Sequence, residues 1–104
     1  IIEIIERLFP TPAVCGFPKE RAIDIIQNLE SFDRGLYAGI LGWITPQYES
    51  EFAVAIRSAF LKDRKLRAFA GCGIIKESES EAEFLETELK FKTIISLFEN
   101  ENIN

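Results

Sequence analysis

Histidine is absent from this 104-residue chain, and cysteine occurs only as Cys15 and Cys72, with no Cys-x-x-Cys. The first absence removes the side chain most often used for proton transfer near neutrality. Together the two argue against a structural zinc site. Positive charge is also scarce: the formal net charge is -5. That argues against a nucleic-acid footprint and gives no general attraction to anions, so any anion site has to be built locally. Long apolar runs are missing too, and none approaches the roughly 20 residues that cross a bilayer. Ile1-Ile2-Glu3 lacks the basic start of a secretory signal. Without one, Cys15 and Cys72 read as reduced thiols of a cytoplasmic protein with no membrane partner. Opening without Met, the chain reads as a fragment.

What is present is a core-forming composition, 47% hydrophobic, sufficient for one domain over residues 1–104. Ile1, Ile4, Ile5 and Leu8 recur at helical spacing, and Pro10 and Pro12 end that helix. Gly16-Phe17-Pro18 opens a second helix with the stripe Ala22, Ile25, Ile26 and Leu29, closed by the turn Phe32-Asp33-Arg34-Gly35. Three strands are expected, over 36–44, 52–60 and 66–75. The second alternates, with Phe52, Val54, Ile56 and Phe60 on one face and Ala53, Ala55, Arg57 and Ala59 on the other. Residues 45–50 and 62–65 are short polar connections suited to hairpins. A last helix is expected over 81–98, with a fraying tail from Glu99 to Asn104. The fold class is therefore α+β: an antiparallel β-meander with flanking helices, ordered αα–βββ–α. Three strands leave an open edge, for which a larger sheet is the natural setting.

The residues that could carry chemistry each admit two readings. Arg57 rises from a floor of alanines, where a guanidinium can grip a carboxylate with two parallel bonds, or can pair with a surface Glu. Tyr37 fits a core ring with its hydroxyl at the edge. Ala70-Gly71-Cys72-Gly73-Ile74 lets a ligand approach backbone N–H groups, or is a bulge; residues alone favour the bulge. At about 100° per residue, Glu83, Glu86 and Lys90 share one helix face. Two carboxylates there suit Mg²⁺. Yet Ser80 and Glu83 also make a capping box, and Glu86 and Lys90 an i,i+4 pair. Lys19, after a helix-opening Pro, reads as solvated.

In combination these segments resemble a known family. Pro10-Thr11-Pro12-Ala13-Val14, Asp33-Arg34-Gly35-Leu36-Tyr37-Ala38-Gly39, Gly42-Trp43, the arginine strand Glu51 to Arg57, Ala70-Gly71-Cys72-Gly73-Ile74 and Glu83-x-x-Glu86-Thr87-x-x-Lys90 are similar to the C-terminal part of isochorismate synthases, within the chorismate-utilising enzymes. The resemblance covers about Leu8 to Leu97. It implies that Tyr37 and Arg57 bind the enolpyruvyl carboxylate of chorismate, that amides around Gly71, Cys72 and Gly73 face a bound carboxylate, and that Lys90 neutralises it. It implies that Glu86, with Glu83 directly or through water, holds Mg²⁺ on the ring carboxylate. The general acid and base, a Glu and a Lys in this family, belong to the N-terminal remainder of the same enzyme, and the fragment alone is expected to be inactive. Ala13, where aminating relatives more often carry Thr, is the reason to favour isochorismate over anthranilate, aminodeoxychorismate or salicylate as product. Phe9 departs from the His common in isochorismate synthases and weakens the subclass. The competing reading is a non-catalytic α+β binding or assembly module.

Overall fold

A computed structural model describes residues 1–99; most of the expected tail, from residue 100 on, lies outside the described residues. The elements are α1 (Ile2–Leu8), α2 (Lys19–Leu29), β1 (Ile40–Ile44), β2 (Ser50–Val54), β3 (Ser58–Lys62), β4 (Lys65–Phe69) and α3 (Ser80–Glu99). The α+β class holds, with four short strands in two antiparallel hairpins. The chain divides into two compact units, Ile1–Ala55 and the residues from Ile56 onward.

In the first unit, α2 turns Ala22, Ile23 and Ile26 inward to half-burial, while Ile25 and Leu29 of the expected stripe are exposed. Gly16 is required where it stands. Its φ is +119°, and a Cβ there would meet the Ala22 Cβ at 2.9 Å. The β1–β2 ladder runs from Ile40 opposite Val54 to Ile44 opposite Ser50. Its connection is closed by Thr45, whose N–H donates to the Glu49 carbonyl at 2.8 Å and whose hydroxyl accepts from Glu49 N–H at 3.1 Å. Beyond the ladder, Ala38 N–H reaches the Ala55 carbonyl and Ala55 N–H the Gly39 carbonyl, at 2.8 and 2.9 Å. The turn carrying Tyr37 is thereby pinned to the end of β2. Tyr37 itself precedes β1 rather than lying in a strand, which starts four residues later than the expected 36.

The long alternating strand expected over 52–60 is interrupted. Ala55 to Arg57 leave the ladder, and Arg57 takes φ +47°, in the left-handed region uncommon for a residue with a Cβ. Arg57 is therefore at a bend, not on an alanine floor.

In the second unit, β3 and β4 pair from Ser58 opposite Phe69 to Lys62 opposite Lys65. Asp63 and Arg64, both with positive φ, make the tight connection, as a two-residue primed turn requires. Residues 70–75 are irregular rather than strand. Helix α3 packs against β4. Its first helical bond runs from Glu83 N–H to the Glu79 carbonyl at 3.0 Å, which moves the cap from the expected Ser80 to Glu79.

Among the described residues, Ala38 and Ile94 are the buried hydrophobics, and no large side chain is fully buried. Leu41, Phe84, Leu85 and Leu89 are all more than half exposed. That much open apolar surface is unusual for a self-sufficient domain.

Candidate functional site

The second unit brings the middle of α3 against the Gly71–Gly73 turn. Lys90, four residues after Glu86 on the same helix face, holds the Glu86 Oε1 at 2.7 Å. Its ammonium also donates to the Gly71 carbonyl at 2.8 Å. One turn earlier, the Thr87 hydroxyl donates to the Glu83 carbonyl at 3.1 Å and lies 3.6 Å from the Cys72 sulfur. Lys90 and Thr87 thus tether the glycine turn to the helix at adjacent residues. Above Gly73 the space is open: a Cβ there would meet nothing within 4 Å.

This face pairs acid with cation. The Lys90 ammonium, by hydrogen bond and then by field, holds the Glu86 carboxyl below the ordinary carboxylate range, and the Arg57 guanidinium lowers it further. Arg57 is therefore within electrostatic reach of Glu86. The i,i+4 pair expected from spacing is present, but it is more than a surface pair, because Lys90 is only 20% exposed and carries the Gly71 contact as well.

Glu83 and Glu86, one helical turn apart, offer the hard oxygen donors that Mg²⁺ takes. One Glu86 oxygen is already engaged by Lys90. Among the described residues no three His, Cys, Asp or Glu side chains gather at a point. The donor chemistry fits part of a Mg²⁺ shell, and water, substrate or further carboxylates would complete it.

The first unit holds Tyr37 and Ala13. Tyr37 is half-buried in a turn closed by its own N–H to the Arg34 carbonyl at 2.9 Å. Ala13 is exposed in a turn where the N–H groups of Val14 and Cys15 both donate to the Thr11 carbonyl. A cavity of about 530 Å³ opens beside α2, lined by Pro10, Cys15, Ile26, Glu30, Arg34 and Tyr37 among others.

Two cations of this unit escaped the sequence reading as site-building groups. Lys19, expected to be solvated, is half-buried and donates to the Phe9 carbonyl at 2.6 Å. Arg34 forks onto Glu30 with bonds of 2.8 and 2.6 Å and donates to the Val14 carbonyl at 3.0 Å. The bond to Glu30 raises the Arg34 pKa further above its already high value. The i,i+4 spacing of Glu30 and Arg34 was a readable signal; nothing local pointed to Val14.

Comparison with known proteins extends this picture. The family described as chorismate binding enzymes matches residues 1–99. Isochorismate synthase MenF of Bacillus subtilis is 49% identical over 96 residues, which are 92% of this chain and 20% of that protein. Anthranilate synthase component 1 of Saccharolobus solfataricus is 44% identical over 93 residues, 89% of this chain and 22% of that protein. The crystal structure of a protein assigned as a 2,3-dihydroxybenzoate-specific isochorismate synthase, DhbC of Bacillus anthracis, superposes with a TM-score of 0.82 at 45% identity. It matches 86% of this chain and 24% of that one. The chain thus spans about a fifth to a quarter of the length of the proteins it matches. By the extent and the degree of these matches, the chain belongs to the chorismate-binding enzyme family.

Proposed function

We propose that this chain supplies the carboxylate-binding side of an Mg²⁺-dependent isochorismate synthase that acts on chorismate, with a further N-terminal portion of the same enzyme completing the site. The observation that carries the reading is the α3 face, where Lys90 is tied to the Gly71 carbonyl and to Glu86, and Glu86 lies within the field of Arg57. A dianionic substrate on a chain of net charge -5 needs such a local concentration of cations.

In this reading Arg57 and Tyr37 orient the enolpyruvyl carboxylate. The amides of the Gly71–Gly73 turn also face a bound carboxylate, which the Lys90 ammonium neutralises. Glu83 and Glu86 would hold Mg²⁺, whose contribution when bound is to neutralise the ring carboxylate. The reaction is an isomerisation: water adds at one ring carbon while hydroxyl leaves from another, and the double bonds shift between them. A base has to take a proton from the water and an acid has to protonate the leaving hydroxyl. Lys90 is committed to Gly71 and Glu86 and is not assigned to either task. The product would feed menaquinone or siderophore formation in the cytoplasm. No helix of the described residues is long and apolar enough to cross a membrane.

A second reading within the family has a specific observation behind it: the anthranilate synthase relative, at 44%, falls within the 42–49% range of the isochorismate synthases. Ala13 favours isomerisation over amination. The discriminating experiment gives chorismate and Mg²⁺ to the complete polypeptide, with and without ammonia, and identifies the products by chromatography. Isochorismate formed without ammonia supports the proposal. Anthranilate or aminodeoxychorismate formed only with ammonia, or salicylate and pyruvate, assigns it elsewhere in the family. No Mg²⁺-linked affinity for chorismate would favour a non-catalytic module.

A further inference from the structure

Arg34 has contacts in three directions within the first unit, and one of them is to the ring of Tyr37. Its Nε and Nη2 fork onto the two oxygens of Glu30, just past the end of α2, at 2.8 and 2.6 Å. Its Nη1 donates to the Val14 carbonyl at 3.0 Å. Its Cζ lies 5.6 Å from the centroid of the Tyr37 ring, within cation–π range. The segment between Phe9 and Gly16 is therefore held at both ends by cations, Lys19 at the start of α2 on the Phe9 carbonyl and Arg34 beyond its end on the Val14 carbonyl.

We infer that Arg34 is a positioning residue that locks the Ala13 turn and the Tyr37 ring into one arrangement. The inference rests on the functional reading above, in which Ala13 sets product choice and Tyr37 binds chorismate. The planar guanidinium is what makes this possible, since a lysine offers a point charge and cannot make the fork, the Val14 bond and the ring contact together. Loosening Arg34 should then disturb substrate binding and product choice together.

The test uses Arg34→Lys and Glu30→Gln in the complete polypeptide. Hydrogen exchange is followed at the Val14 and Cys15 amides, both of which bond the Thr11 carbonyl. Arg34→Lys should speed exchange there by about tenfold or more, with the β3 and β4 amides unchanged, and Glu30→Gln should do so more weakly. KM for chorismate should rise by about tenfold, more than kcat falls, and by-products should increase. Unchanged exchange at Val14 and Cys15, or a rise shared equally by β3 and β4, overturns the inference. So does an unchanged KM with altered exchange. If the wild-type protein makes no isochorismate, the functional reading fails, and the exchange result still decides whether Arg34 holds the turn.

Discussion

The Lys90 ammonium and the Gly71 carbonyl oxygen are 2.8 Å apart, nineteen residues distant in sequence, and their bond fastens the glycine turn to α3. The same ammonium holds Glu86, so one side chain sets both the position of the turn and the charge of the acid beside it. Replacing Lys90 by Gln removes the charge while keeping a donor for Gly71. Hydrogen bonds to charged groups contribute about 1.5–3 kcal/mol, so KM for chorismate should rise roughly 10- to 100-fold. Steady-state kinetics at saturating Mg²⁺ measure this.

The Glu86 carboxyl has a folded-state pKa held below its unfolded value, chiefly by the Lys90 hydrogen bond. A depressed pKa stabilises the fold above the unfolded value, about 4.3, and that contribution is lost as pH falls through the folded value. Thermal melts of wild type and Glu86→Gln from pH 7 to pH 3 should therefore converge as acid is added, wild type being the more stable at neutral pH. The carboxylate is largely solvated, so the difference should be small. Curves that stay parallel throughout would contradict the assignment.

Gly42 stands where a Cβ would overlap the Glu51 carbonyl and the Phe52 ring. Gly42→Ala should destabilise the β1–β2 hairpin by about 3 kcal/mol. The urea midpoint should fall accordingly, and Gly73→Ala, placed in open space, should leave it nearly unchanged.

Ala13→Thr adds a hydroxyl at the position assigned to product choice. In the complete polypeptide it should divert part of the flux from isochorismate to another product, read by chromatography. An unchanged product profile would remove Ala13 from the specificity argument.

What could be read from residues alone followed periodicity. The acid pair and Lys90 on α3 were visible because a helix repeats every 3.6 residues. The two hairpin connections were visible because their polar residues interrupt apolar alternation. The break at Arg57 was hidden, since one left-handed residue between β2 and β3 leaves the alternation of Phe52 to Phe60 undisturbed. Leu36 to Ile44, rich in Gly and large apolar residues, has the composition of a strand throughout, but the positive φ of Gly35 and Ala38 bends its start into the Tyr37 turn. The Gly71 and Val14 bonds of Lys90 and Arg34 join residues 19 and 20 apart, and no local pattern encodes a partner at that separation.

The most direct test is calorimetric titration of chorismate into the complete polypeptide with Mg²⁺ present, comparing wild type with Arg57→Ala and Glu86→Gln. If the bend arginine and the α3 face serve one substrate, both variants should weaken binding by about tenfold or more, and Glu86→Gln should also abolish the gain in affinity that Mg²⁺ gives. Wild-type affinity in both variants would contradict a shared chorismate site.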